Sequence, residues 1–261
     1  MRTVKQLFDL KGKTALVTGG SRGLGLQLAE ALGEQGARVM LSARKADELA
    51  QARQLLRDSG IEAECITANG ASEADIAHLA DQTLAQFGRV DILVNNAGAA
   101  WGAPAEDHSI EAWDKVMNLN IRGLFLLTQR IGKLSMIPNR YGRVINIASI
   151  SGLAGNVPGT METIAYNTSK GAVVNFTRAL AAEWGEHGIT VNALAPGFFP
   201  SKMTQDSLHR WGVENMCARV PLRRLGDDED LKGAAVLFAS DAGKHITGQI
   251  LAVDGGVSSV A

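Results

Sequence analysis

The chain has 261 residues, 46% of them apolar and 20% charged, which is enough for one substantial core and argues against extended disorder. Its 26 basic and 27 acidic residues leave a formal charge of −1, so no broad attraction to nucleic acid or to an anionic membrane is built in. The start MRTVKQLFDLKGK lacks a signal-peptide apolar region, and no run approaches the ~20 apolar residues of a membrane helix.

Cys65 and Cys217 have neither metal-ligand spacing nor the density of a disulfide scaffold, so a reducing, cytoplasmic setting is expected. The histidines at 78, 108, 187, 209 and 245 are scattered and give no metal motif.

Seven short apolar segments recur along the chain: TALVT, RVMLS, AECITA, DILVN, RVINIA, TVNALA and ILAVD. Strands buried on both faces need such near-continuous apolar runs, and a parallel return needs a crossover, usually a helix. The intervening stretches supply helices expected at Leu24 to Gln35, Asp47 to Asp58, Glu73 to Phe87, Ala112 to Ser135, Ala165 to Glu186 and Asp227 to Ala239. No repeat or long polar linker divides them. The expected architecture is one α/β domain over 1–261, a three-layer sandwich with a seven-stranded parallel sheet.

After the first strand, TGGSRGLG opens the first long helix through Gly19, Gly20, Gly23 and Gly25. Glycine allows positive φ and close approach of a phosphate, and the helix N-terminus offers free N–H groups and a positive dipole end. The spacing differs from Gly-x-Gly-x-x-Gly, and a tight turn alone would also account for the glycines; the position after the first strand favours a dinucleotide pyrophosphate. The second strand ends in LSARK. An acid there would bind the adenosine ribose hydroxyls of NAD, but Ala43 stands in its place, and Arg44 and Arg22 offer two guanidinium groups to a 2′-phosphate. NADP(H) is therefore the expected cofactor.

Ser149 ends the fifth strand pattern, with Ser151 as a competing hydroxyl. In the helix expected from Ala165, Tyr166 and Lys170 are i and i+4 neighbours. A phenol of pKa near ~10 is a poor base, and a nearby ammonium would favour phenolate and lower that value. The same hydroxyl can give a proton to a developing alkoxide, with a serine hydroxyl holding the oxygen. The long stretch 198–230 carries two prolines and the apolar Phe198, Phe199, Met203, Leu208, Trp211 and Met216, which fits a substrate lid or a helical excursion packed on the body.

Taken in order, TGGSRGLG, NNAG, NLNIRGLF, NIASISG, YNTSK, VNALAPG and ITGQILAVDGG resemble the classical short-chain dehydrogenase/reductase family over essentially the whole chain. The resemblance implies a Rossmann-type domain, reversible hydride transfer between a nicotinamide cofactor and a carbonyl or alcohol, and commonly a homotetramer. It assigns Tyr166 as acid/base, Lys170 to the phenol and the nicotinamide ribose, and Ser149, rather than Ser151, to the substrate oxygen. Asn120, rather than Asn118, would support a water-mediated proton relay behind the lysine. The glycine turn, with Ser21 and Leu24 between its glycines, would hold the diphosphate. Asn96, Ala97 and Gly98 would pass the adenosine side and the diphosphate bridge, and Pro196, Gly197 and Ser201 the nicotinamide.

Two departures stand out. Asn69 and Gly70 occupy the place where the family often has Asp and an aliphatic residue near adenine, and VPGTMETIA lengthens the Ser149 to Tyr166 interval beside the substrate pocket. The apolar lid candidates and Trp101 favour a 3-oxoacyl or other moderately hydrophobic ketone. Sugar-acid and steroid dehydrogenases share the pattern, and a non-catalytic nucleotide-binding regulatory protein is the alternative from another class. A small-molecule substrate, self-association into a homotetramer, and neither nucleic-acid nor membrane partners complete the expectation.

Overall fold

A computed structural model describes residues 1–157, 160–201, 204–205 and 211–260. Seven strands form one parallel sheet: β1 (Thr14–Thr18), β2 (Arg38–Ala43), β3 (Ala63–Thr67), β4 (Ile92–Asn95), β5 (Gly142–Ile147), β6 (Ile189–Pro196) and β7 (Ile250–Val253). Their order in space is β3-β2-β1-β4-β5-β6-β7, every neighbouring pair parallel. Each expected strand segment is present.

The central strands are wholly buried because both faces are covered: all residues of β1, β4, β5 and β6 are inside. Alternate residues feed two cores. A single N-terminal turn, α1 (Val4–Leu7), precedes β1. Val17, Val39 and Leu41 meet α2 (Gly23–Glu34), α3 (Ala46–Asp58) and a late helix, Lys232–Ala239, through Leu28, Leu32, Leu49, Leu56 and Ala235. Leu16, Met40 and Leu93 face the other side, where α4 (Glu73–Phe87) and the helices following β4 and β5 contribute Ile76, Leu79, Leu127, Ile131 and Leu180.

Two expected helices differ from their observed form. The stretch expected as one helix from Ala112 to Ser135 runs as Ile110–Met117, a π-helical turn Asn118–Gly123, Leu124–Ile131, a second π turn Gly132–Met136, and a short Ile137–Asn139. At both π turns a glycine lies flat against a neighbour: a Cβ on Gly123 would collide with the Gly70 carbonyl, and one on Gly132 with the Trp184 ring. The helix expected from Asp227 begins only at Lys232. Residues 227–231 instead form an acidic turn, where the Asp227 carboxylate accepts from Glu229 N–H and Asp230 accepts from Asp227 N–H and from Arg224.

Within 198–230, Phe199, Met216 and Val220 are buried in the body, and Val213–Ala218 is a short helix. Met203, Leu208 and His209, for which the sequence carried expectations, lie outside the described residues. Among the described residues no helix is long and apolar enough to cross a membrane.

Candidate active site

The strand order reverses direction between β1 and β4, because the crossover from β3 returns to the far side of β1. Crevices at the carboxyl ends of such neighbouring strands are where ligands of doubly wound sheets sit. A cleft of about 460 Å³ opens there, along the ends of β1, β2, β4, β5 and β6.

Its first wall is the glycine turn. Gly19 and Gly23 have φ of +64° and +52°, a region that strains other residues. Gly25 packs so closely that a Cβ would strike the Gly19 carbonyl oxygen and the Asn96 amide. Asn96 in turn props the turn from β4, its Nδ2 donating to Thr18 O at 3.0 Å and Gly19 O at 3.1 Å. No side chain caps the N-terminus of α2, so its first N–H groups face the cleft. Ser21, Arg22, Leu24, Ala97 and Gly98 also line this wall.

At the end of β2 the cleft wall carries Arg44, Lys45 and Glu48. Arg44 is exposed and has no hydrogen-bond or ion-pair partner among the described residues. Arg22 Nη1 and Lys45 Nζ each lie 2.8 Å from a different oxygen of Glu48. A phosphate-bearing dinucleotide fits this lining: a backbone cradle with no room for side chains, an uncapped helix start, and three cations beyond it. Lys45 and Glu48 were not singled out from the sequence, because charges at a helix start read equally well as a solvated first turn.

Asn69 does not line the cleft. It is exposed, its side-chain oxygen accepting from Ala71 N–H at 3.1 Å, while its neighbours Ala68 and Gly70 form the wall.

The opposite end of the cleft brings Ser149, Tyr166 and Lys170 together. Tyr166 and Lys170 lie in the first turns of the long helix after β5, Ile164–Trp184. Gly152 makes the convergence possible: a Cβ there would lie 2.5 Å from the Lys170 backbone carbon, so only glycine lets the turn after β5 close onto this helix. Ser149 stands beside the Tyr166 hydroxyl in the cleft, and its own hydroxyl accepts from Ser151 N–H at 3.1 Å. Ser151 does not line the cleft. Lys170, 5% exposed, donates from Nζ to Ile147 O at 2.6 Å and lies 5.6 Å from the centre of the Tyr166 ring.

Burial raises the Tyr166 phenol above its ordinary value, opposed by the Ser149 hydrogen bond, although the ring keeps partial access to the cleft. Burial also pulls Lys170 down to about 8. The phenol thus moves opposite to the direction expected from the Tyr–Lys spacing, since removal from water penalises phenolate and ammonium alike.

Asn120 sits in the first π turn and is 1% exposed. Its amide brackets Ala99, accepting from the N–H and donating to the carbonyl, both at 2.8 Å, and donates to Ser169 at 3.0 Å. It does not line the cleft but lies behind it: a Cβ on Gly98 would be 3.4 Å from Asn120 Oδ1 and 3.7 Å from Lys170 Nζ. Pro196, Gly197 and Ser201 line the cleft beyond β6. Thr204 joins them, its hydroxyl donating to Phe199 O at 2.7 Å; it lies in a stretch without periodicity and carried no sequence signal. No group of three or more His, Cys, Asp or Glu side chains is disposed to hold a metal among the described residues.

Residues 19–258 match the family described as enoyl-(acyl carrier protein) reductase. The chain is 39% identical to the gluconate 5-dehydrogenase of Gluconobacter oxydans, covering 97% of each. It is 40% identical to the rhamnolipids biosynthesis 3-oxoacyl-(acyl-carrier-protein) reductase of Pseudomonas aeruginosa, covering 95% of this chain and 97% of the relative. A crystal structure of a gluconate 5-dehydrogenase from Burkholderia cenocepacia in complex with NADP and tartrate superposes with a TM-score of 0.93 at 34% identity, covering 99% of this chain and all of the other.

Proposed function

The chain belongs to the short-chain dehydrogenase/reductase family of oxidoreductases, and from that premise we propose that it uses NADP(H) to interconvert a ketone and a secondary alcohol. The observation that carries this reading is the meeting of Ser149, Tyr166 and Lys170 at the far end of a cleft whose other end is a phosphate cradle. When bound, the cofactor supplies or accepts hydride at its nicotinamide.

In the reducing direction Tyr166 gives its proton to the substrate oxygen, and its raised pKa keeps that proton in place at neutral pH. Ser149 donates a hydrogen bond to the same oxygen. Lys170, charged below about pH 8, stabilises the phenolate left behind. Asn120 is assigned to the proton supply behind the lysine. The cofactor roles follow the walls of the cleft: Gly19, Ser21, Gly23, Leu24 and Gly25 for the diphosphate, Arg22 and Arg44 for the 2′-phosphate, Gly70, Asn96, Ala97 and Gly98 along the adenosine side and the diphosphate bridge, and Pro196, Gly197 and Ser201 at the nicotinamide. Asn69 is retained only as a backbone neighbour of the adenine region.

For the substrate, exposed Leu153, Val157 and Ile164 between Ser149 and Tyr166, and exposed Trp101 in the loop after β4 whose Ala103 N–H donates to Glu162 O, support a 3-oxoacyl or other moderately hydrophobic ketone. The 198–230 segment acts as its lid, with Phe199, Ser201 and Thr204 at the cleft edge. The gluconate 5-dehydrogenase relatives favour a sugar acid as the second reading. The deciding assay follows cofactor absorbance with purified protein, NADPH or NADH, and a panel of 3-oxoacyl thioesters, diketones and keto-sugar acids. The expected result is faster turnover with NADPH and with the thioesters; efficient keto-sugar reduction with inert thioesters moves the assignment to the second reading, and better use of NADH overturns the cofactor.

A homotetramer is proposed on exposed apolar side chains of the helical stretch after β4 and of the edge strand β7. Phe125 and Leu134 stand exposed on the helical stretch after β4, and Leu251 is exposed on the edge strand β7. Light scattering should give about four times the 27.6 kDa of one chain, and a monomeric mass would refute it. The unpaired Cys65 and Cys217 suit a cytoplasmic location.

A further inference from the structure

The cation cluster at the end of β2 contains a carboxylate that a pure phosphate site would not need. Glu48, in the first turn of α3, bridges Arg22 and Lys45, one carboxylate oxygen to each at 2.8 Å. All three side chains line the cleft beside Arg44. We propose that Glu48 is a built-in competitor for these cations, so that it sets how strongly the chain discriminates between adenosine with and without a 2′-phosphate. The inference rests on the NADP(H) reading given above and deepens it.

The argument turns on two opposing effects. As a positioning group, Glu48 would hold Arg22 and Lys45 ready. The side chains are 52% and 63% exposed, and ion pairs at such exposure are weak and floppy, so the gain in order is small. As a charge, Glu48 repels an incoming dianion and occupies the donors that the dianion would use. A unit charge within several ångströms of a doubly charged phosphate changes affinity by about tenfold even in water. Repulsion therefore outweighs preorganisation, and the carboxylate holds the preference for the phosphorylated cofactor below what three cations would give.

Calorimetric titration of adenosine 2′,5′-bisphosphate and of 5′-AMP into the wild-type protein and Glu48→Gln tests this without any reaction. Glu48→Gln should bind the bisphosphate about tenfold more tightly and leave 5′-AMP unchanged, with the gain shrinking as salt is raised. Glu48→Ala should move the same way. Bisphosphate affinity that stays equal or falls in both variants, or a gain shared equally by 5′-AMP, overturns the role of Glu48. A wild-type protein that does not distinguish the two ligands overturns the NADP(H) reading itself.

Discussion

Tyr166→Phe should lower the rate of ketone reduction by about a hundredfold to ten-thousandfold while the variant still binds NADPH, because the substitution removes one proton donor and leaves the ring in place. Fluorescence titration of NADPH together with steady-state rates checks both halves. Turnover equal to wild type would remove the phenol from the reaction, and the Ser149–Tyr166 contact would then be structural only. The wild-type pH profile carries the same assignment. A lysine pulled down to about 8 is charged below that value and neutral above it, so the reduction rate should fall as pH rises through about 8. The reverse oxidation needs phenolate, which burial disfavours, so its rate should climb towards alkaline pH.

Gly25→Ala should be the most damaging single-methyl change in the cradle. The added Cβ meets the Gly19 carbonyl oxygen and the Asn96 amide, neither of which can move without opening the turn. Overpacking of this kind costs about 1–3 kcal/mol, and for a chain of this size each kcal/mol lowers the melting temperature by roughly 2–4 °C. NADPH affinity should fall with it, since α2 must tilt away from the phosphate path. Gly23→Ala is the control: nothing lies within 4 Å of its Cβ, and the strain is confined to a φ of +52°, about 1–2 kcal/mol. If calorimetry and NADPH titration find Gly25→Ala unchanged from wild type, the close packing of α2 on the turn is not what shapes the cradle.

The sheet was legible because buried parallel strands must be apolar on both faces, and segments such as TALVT and RVINIA have no competing explanation once turns flank them. The glycine turn and the Tyr166–Lys170 pair were legible for a related reason: each is local, and local spacing survives folding. The π turns were not, because an extra residue in a helix leaves its apolar pattern nearly intact and is set by tertiary partners, the Gly70 carbonyl and the Trp184 ring. The late start of the Lys232–Ala239 helix was hidden likewise, since DDEDLK reads as a favourable acidic first turn until Arg224 is seen to draw Asp230 away. The direction of the Tyr166 shift was missed because spacing reports proximity and says nothing of desolvation.

The π turn at Asn118–Gly123 has a bearing on how this chain can change. It is one residue of surplus winding, and everything downstream is phased to it: Leu127 and Ile131 reach the core only because the helix has been advanced by that residue. Deleting any single position between 118 and 123 would swing those side chains by about 100° around the axis. It would also release the Ala99 backbone from the Asn120 amide. Length in this stretch is therefore fixed from two sides at once, by the packing behind it and by the cleft in front, while Asn120 and Gly123 are also fixed in kind by the Ala99 backbone and the Gly70 carbonyl.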